Sequence, residues 1–72
     1  MNKQEFLAIL RANLYGMDVN TVNDILYDYE EHFRIGLENN KTEEEISKAL
    51  GNPVQIANAY KADGFIKKAE IS

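Results

Sequence analysis

Seventy-two residues without a cysteine make one small domain at most, with no disulfide staple, thiolate nucleophile or thiolate metal ligand. The formal charge is −4, and from Asp24 to Glu45 the acids Asp24, Asp28, Glu30, Glu31, Glu38, Glu43, Glu44 and Glu45 stand against only Arg34 and Lys41. That surface repels phosphate backbones and argues against direct DNA or RNA binding. The longest uninterrupted apolar run, FLAIL at 6–10, falls far short of the ~18 residues of a membrane span. The N-terminus enters patterned helix directly, without the apolar segment of a secretory signal, so a soluble, cytoplasmic chain is expected.

Apolar residues recur at the helical period almost throughout, and one proline and four glycines leave few interruptions. The first helix is expected over about residues 2–15. Phe6, Ile9, Leu10 and Leu14 line one side, Asn2 and Glu5 form a capping box, and Gly16 is the stop. The second, over about 19–37, carries Val22, Ile25, Leu26, Tyr29, Phe33, Gly36 and Leu37 on one stripe. Asp18 is its N-cap, and the ENNK stretch at 38–41 ends it.

Thr42 opens a third helix over about 43–50, with Glu45 as its capping-box partner and Ile46, Ala49 and Leu50 directed inward. Gly51 stops it, and Asn52 caps a fourth helix at once. Pro53 takes the first position of that helix, where a missing N–H costs nothing, and Gln55 supplies a third capping box. This helix covers 53–62 or longer and points Ile56, Ala57 and Tyr60 inward. Residues 1–63 therefore read as an all-α bundle of three to four helices built around the second helix, and 64–72 as a tail or linker.

Three local features invite a functional reading. In YDYEEHF at 27–33, acids surround the only histidine, and Asp28 and His32 are four apart on one helix face, as are Glu30 and Arg34. One histidine and no cysteine cannot supply the nitrogen and sulfur ligands of a zinc site, and Tyr29 occupies the position that a Glu-x-x-His di-iron motif needs. No nucleophile elbow or glycine-rich phosphate loop accompanies His32. We therefore assign no catalytic residue, metal ligand or cofactor, and read His32 as a boundary residue beside Asp28.

Second, the third and fourth helices have the outline of a helix-turn-helix that would offer Gln55, Asn58 and Lys61 to a groove; one lysine is a poor phosphate anchor, and a structural corner is the plainer reading. Third, Tyr27 and Ile35 project opposite the core stripe among Glu31, Arg34 and Glu38, the composition of a protein contact; Tyr27, Glu31 and Ile35 are the candidate partner-binding residues. Lys67 and Lys68, near Phe65, Ile66 and Ile71, would give an anionic membrane surface only weak attraction.

Taken in order, NKQEFLAILRANL, DILYDYEEHF and TEEEISKALGNPVQIA resemble the HAAS domain, the helix-turn-helix-associated α-helical signalling domain of bacterial membrane proteins. The likeness spans roughly residues 2–62. Leu50, Gly51 and Pro53 match its corner motif, with Asn52 where aspartate is common. Tyr29, Glu30, Glu31 and Phe33 match its acidic helix, and Asp28 interrupts the tandem tyrosines often seen there.

The resemblance implies a cytoplasmic helical module followed by transmembrane helices, encoded beside PadR-like transcriptional regulators, with no catalytic activity. The expectation is thus a non-enzymatic protein–protein interaction module whose partner is a protein such as a PadR-like regulator, not nucleic acid. The membrane is reached only through a following segment, and the chain reads as a domain excised from an inner-membrane protein. A DNA-binding helix-turn-helix and a soluble, self-associating adaptor are the alternatives.

Overall fold

Among the described residues four helices follow one another: α1 (Lys3–Asn13), α2 (Val19–Glu38), α3 (Glu43–Leu50) and α4 (Pro53–Ile71). The computed structural model describes the backbone of residues 1–71 and the side chains of residues 1–62, and no strand occurs among the described residues. The side chains of Phe65, Ile66, Lys67, Lys68 and Ile71, weighed above for a membrane contact, lie outside the described residues.

The helix starts follow from local chemistry. Asn2 Oδ1 accepts from the Glu5 N–H at 2.8 Å while Glu5 Oε1 accepts from the Asn2 N–H at 3.2 Å, a complete capping box. Thr42 and Glu45 form the second, at 3.1 and 2.9 Å. Asp18 Oδ2 accepts from the N–H groups of Asn20 and Thr21, satisfying two first-turn amides of α2. The expected third box is only half formed. Asn52 Oδ1 takes the Val54 N–H at 2.8 Å, and among the described residues Gln55 makes no return bond.

The helix ends are equally local. α2 closes in a Schellman motif: the Lys41 N–H donates to the Gly36 carbonyl and the Asn40 N–H to the Leu37 carbonyl, while Asn40 takes φ 66°. Gly51, at φ 101°, ends α3 and lets Asn52 begin α4 at once. α1 stops earlier than its apolar spacing suggests. Asn13 is its last residue, Leu14 is the C-cap, and the left-handed turn at Gly16 follows two residues later.

Phe6, Leu10, Leu14, Ile25, Phe33, Ile46 and Ala57 form the core, with Leu7, Met17, Val22, Leu26, Tyr29, Leu50, Ile56 and Tyr60 packed around it. The Phe6 ring sits between two aromatics of α2, 5.4 Å from Phe33 in an edge-on arrangement and 5.8 Å from Tyr29. Tyr29 in turn meets Tyr60 of α4 edge-on at 6.5 Å.

The hub is α1, not α2. Among the described residues α1 packs against α2, α3 and α4, whereas α2 packs mainly against α1 and α3 and meets α4 through Tyr29 and Tyr60. Two burial assignments are corrected. Leu37 is 44% exposed, at the end of α2 where the chain turns into its Schellman loop. Ala49 is also exposed: α3 directs Ile46 and Ser47 inward, and Ala49 falls at the rim of the depression between α2 and α3.

α2 and α3 approach closely at Gly36. A Cβ there would lie 2.5 Å from Ile46 Cδ1 and 2.6 Å from Cγ1, so glycine is the residue that lets Ile46 seat against the α2 backbone. The N-terminal segment is fastened to α3 as well. Ser47 Oγ donates to the Met1 carbonyl at 2.7 Å, Glu43 Oε1 accepts from the Lys3 N–H at 2.9 Å, and Glu44 pairs with the Met1 amine at 2.5 Å. The EEE run at 43–45 is therefore three separate attachments, two to the start of the chain and one to the α3 cap.

Candidate functional site

The outer face of α2 exists because its inner face is used up. Ile25, Tyr29 and Phe33 turn toward α1, so residues about half a turn away emerge into solvent. Tyr27 is 61% exposed and Ile35 48%, and Glu31 lies between them, half-buried. At four-residue spacing the three form a single stripe that drifts slowly round the helix.

Arg34 organises the charges on this face. Its Nε and Nη2 donate to both Glu31 oxygens at 3.0 and 2.8 Å, and Nη1 donates to Glu38 at 3.0 Å. The fork geometry of guanidinium favours this bidentate clamp, and Arg34 chooses Glu31 and Glu38 over the Glu30 pairing that spacing suggests. Hydrogen bonds from Arg34 hold the Glu31 carboxyl below its usual range, and Glu31 raises the guanidinium correspondingly. Both groups stay charged across neutral pH.

With Glu31 and Glu38 held by Arg34, and Glu43, Glu44 and Glu45 held at helix starts, the acids left without an ion pair or cap among the described residues are Asp24, Asp28 and Glu30. All three are exposed on α2. The open negative charge is thus concentrated on the N-terminal two-thirds of that helix rather than spread to Glu45.

His32 is exposed, and its ring lies 5.6 Å from that of Tyr29. Among the described residues His32 makes no hydrogen bond or ion pair with Asp28, and no three His, Asp or Glu side chains converge as metal ligands. The Tyr29 phenol is raised above its ordinary value. Burial, then the Tyr60 phenol and the Asp28 carboxylate, push it up to about 12.

The corner residues Leu50, Gly51, Asn52 and Pro53 do structural work. Leu50 packs on the core, Gly51 supplies the left-handed turn, Asn52 caps α4, and Pro53 is almost wholly buried. Gln55 and Asn58 are exposed, but Lys61 lies 4.2 Å over the Tyr15 ring in a cation–π contact. α3 and α4 pack on α1 rather than extensively on each other, unlike a helix-turn-helix whose first helix braces the second.

Ser47 went unnoticed in the sequence because a serine among charged residues reads as surface. Its spacing three before Leu50, on the Ile46 side of α3, was the available signal.

Among the described residues no helix is long and apolar enough to cross a membrane. No curated protein and no solved structure matches the chain. A family model named HAAS matches residues 5–59, from the capping box of α1 to the middle of α4, which is most of the chain and includes the α2 face and the corner. The chain therefore belongs to the HAAS family of small helical domains, a family linked in general to protein–protein interaction and not known as catalytic.

Proposed function

We propose that this chain is a non-enzymatic interaction module in a bacterial membrane-associated regulatory system, and that its partner is a PadR-like transcriptional regulator. The observation that carries the reading is the exposure of Tyr27 and Ile35 on either side of the Glu31–Arg34 clamp, on a helix whose opposite face is core. A large aromatic and a branched apolar side chain around a fixed charge pair are the ingredients of an interface centre. Membership of an interaction family supports the same reading. In it the domain is cytoplasmic, and a hydrophobic segment following Ser72 in the source gene anchors it.

The test is calorimetric titration of the domain with the PadR-like regulator encoded beside its gene. Tyr27→Ala, Ile35→Ala and Glu31→Lys are each expected to weaken binding by at least about tenfold, as loss of an interface anchor does, with far-UV circular dichroism unchanged. Equal affinity for all three would refute the surface. Absence of binding by the unaltered domain would refute the partner. Binding to duplex DNA that falls steeply with salt would refute the reading in favour of nucleic-acid recognition.

A further inference from the structure

The flank of α2 beside Ile35 is not flat. One depression, ≈ 220 Å³, opens between α2 and α3 over His32, Ile35, Gly36, Ile46, Ala49 and Leu50. A second, ≈ 280 Å³, lies over Asp28, Tyr29, Glu31, His32, Ile35 and Tyr60. They share His32 and Ile35 and so adjoin along this flank of α2, as two basins of a shallow groove.

The cause is visible in the packing. Gly36 lets α3 come close and sink Ile46, while exposed Ala49 is too small to fill the space above it. Along α2 the groove runs from Asp28 to Asn39, a length of roughly 16 Å at ~1.5 Å per residue, or three helical turns. The two depressions are offset by about one turn, the spacing of apolar anchors at i and i+4 on a helix lying alongside.

Charge selects the occupant. Asp28 stands at one end of the groove without an ion pair among the described residues, and exposed Asp24 precedes it by one turn. Lys41 lines the other end. A second copy of this chain brings a net charge of −4 toward those acids, which disfavours self-docking.

We propose that this groove receives an amphipathic helix of a basic protein partner. Two apolar side chains of that helix fill the depressions over Leu50 and Tyr60, and its lysine or arginine residues lie toward Asp28 and Asp24. The inference rests on the reading of the domain as an interaction module and extends its contact surface from the crest of α2 into the α2–α3 groove.

The experiment uses the intact 72-residue chain, isotope-labelled for two-dimensional NMR. Its probes are a synthetic helix of about 14 residues, long enough to be partly helical, with leucines at i and i+4 and lysines elsewhere, and a matched peptide with glutamates for the lysines. The lysine peptide is expected to shift the amides of His32, Ile35, Gly36, Leu50 and Tyr60 saturably. The glutamate peptide is expected to leave them unmoved, and Ala49→Arg, at an exposed helical position, to weaken binding at least about tenfold without altering the fold.

Equal response to both peptides, shifts scattered over the acidic surface, indifference to Ala49→Arg, or the same shifts arising from self-association without peptide would each overturn the proposal. Ala49→Arg in the regulator titration separates the two readings. Regulator binding that survives Ala49→Arg but fails with Tyr27→Ala keeps the proposed function and removes the groove.

Discussion

Phe6 joins the two halves of the core, and replacing it with leucine isolates what its ring contributes. Phe6 is fully buried, with ring contacts to Phe33 at 5.4 Å and Tyr29 at 5.8 Å. Leucine keeps most of the apolar burial but forfeits both aromatic contacts, each worth ~0.5–1.5 kcal/mol beyond area, so the expected loss is about 2 kcal/mol. At ~0.05–0.15 kcal/mol per residue the domain has roughly 4–11 kcal/mol in all, so it stays folded. For a domain of this size the loss lowers Tm by roughly 8–16 °C.

Thermal and urea unfolding of Phe6→Leu, Phe33→Leu and the double variant close a cycle whose coupling is expected at ~0.5–1.5 kcal/mol. Additivity of the two single changes, or a Tm within about 3 °C of the parent, would show that Phe6 only fills volume and that the aromatic account is wrong.

The remaining predictions are local. Gly36→Val forces two methyls toward Ile46, where a single Cβ already comes within 2.5 Å, and is expected to destabilise by ~1–3 kcal/mol in urea titration. Asn40→Val puts a β-branched residue at φ 66° and should lower stability by roughly 1–2 kcal/mol, with Asn40→Gly neutral or slightly stabilising, read from urea midpoints at constant slope.

The Tyr29 phenol ionises near 10 in the unfolded chain and near 12 in the fold. Its contribution is therefore complete below pH 10 and is lost as pH rises from 10 to 12. After discounting for solvent screening, that loss is on the order of 1 kcal/mol, and unfolding curves of Tyr29→Phe should lack it. Glu31 and Glu45, both held below their ordinary value of 4.5, act in the opposite direction: stability they confer above that value is lost as pH falls through their lower folded values, which an acid titration of unfolding detects.

Helix boundaries were legible in the sequence wherever a side chain caps a backbone. Asn2, Asp18 and Thr42 mark three starts, and Asn40 and Gly51 mark two stops, because those choices are settled within a few residues. Burial was legible only in part, since periodicity gives the direction of a side chain but not what lies there. Leu37 and Ala49 share the period of their buried neighbours yet face solvent, because α2 runs into its closing loop at Leu37 and Ala49 falls at the rim between α2 and α3.

The candidate site divides the same way. Exposure of Tyr27 and Ile35 follows from the α2 stripe alone. The groove beside them depends on Gly36 and Ala49 meeting across two helices, a long-range relation that no local pattern encodes.

The hub position of α1 has a consequence for how the chain comes to exist. α1 leaves the ribosome before α4, yet the surface that covers it on α4 includes Ala57, near the end of the described side chains. A nascent chain that has reached only Gly51 holds Phe6, Leu10 and Leu14 without their α4 cover, and closing that gap requires ordering most of the intervening sequence at once. Folding therefore waits for the whole domain. A chain cut before α4 lacks that cover and is expected to be cleaved readily by proteases.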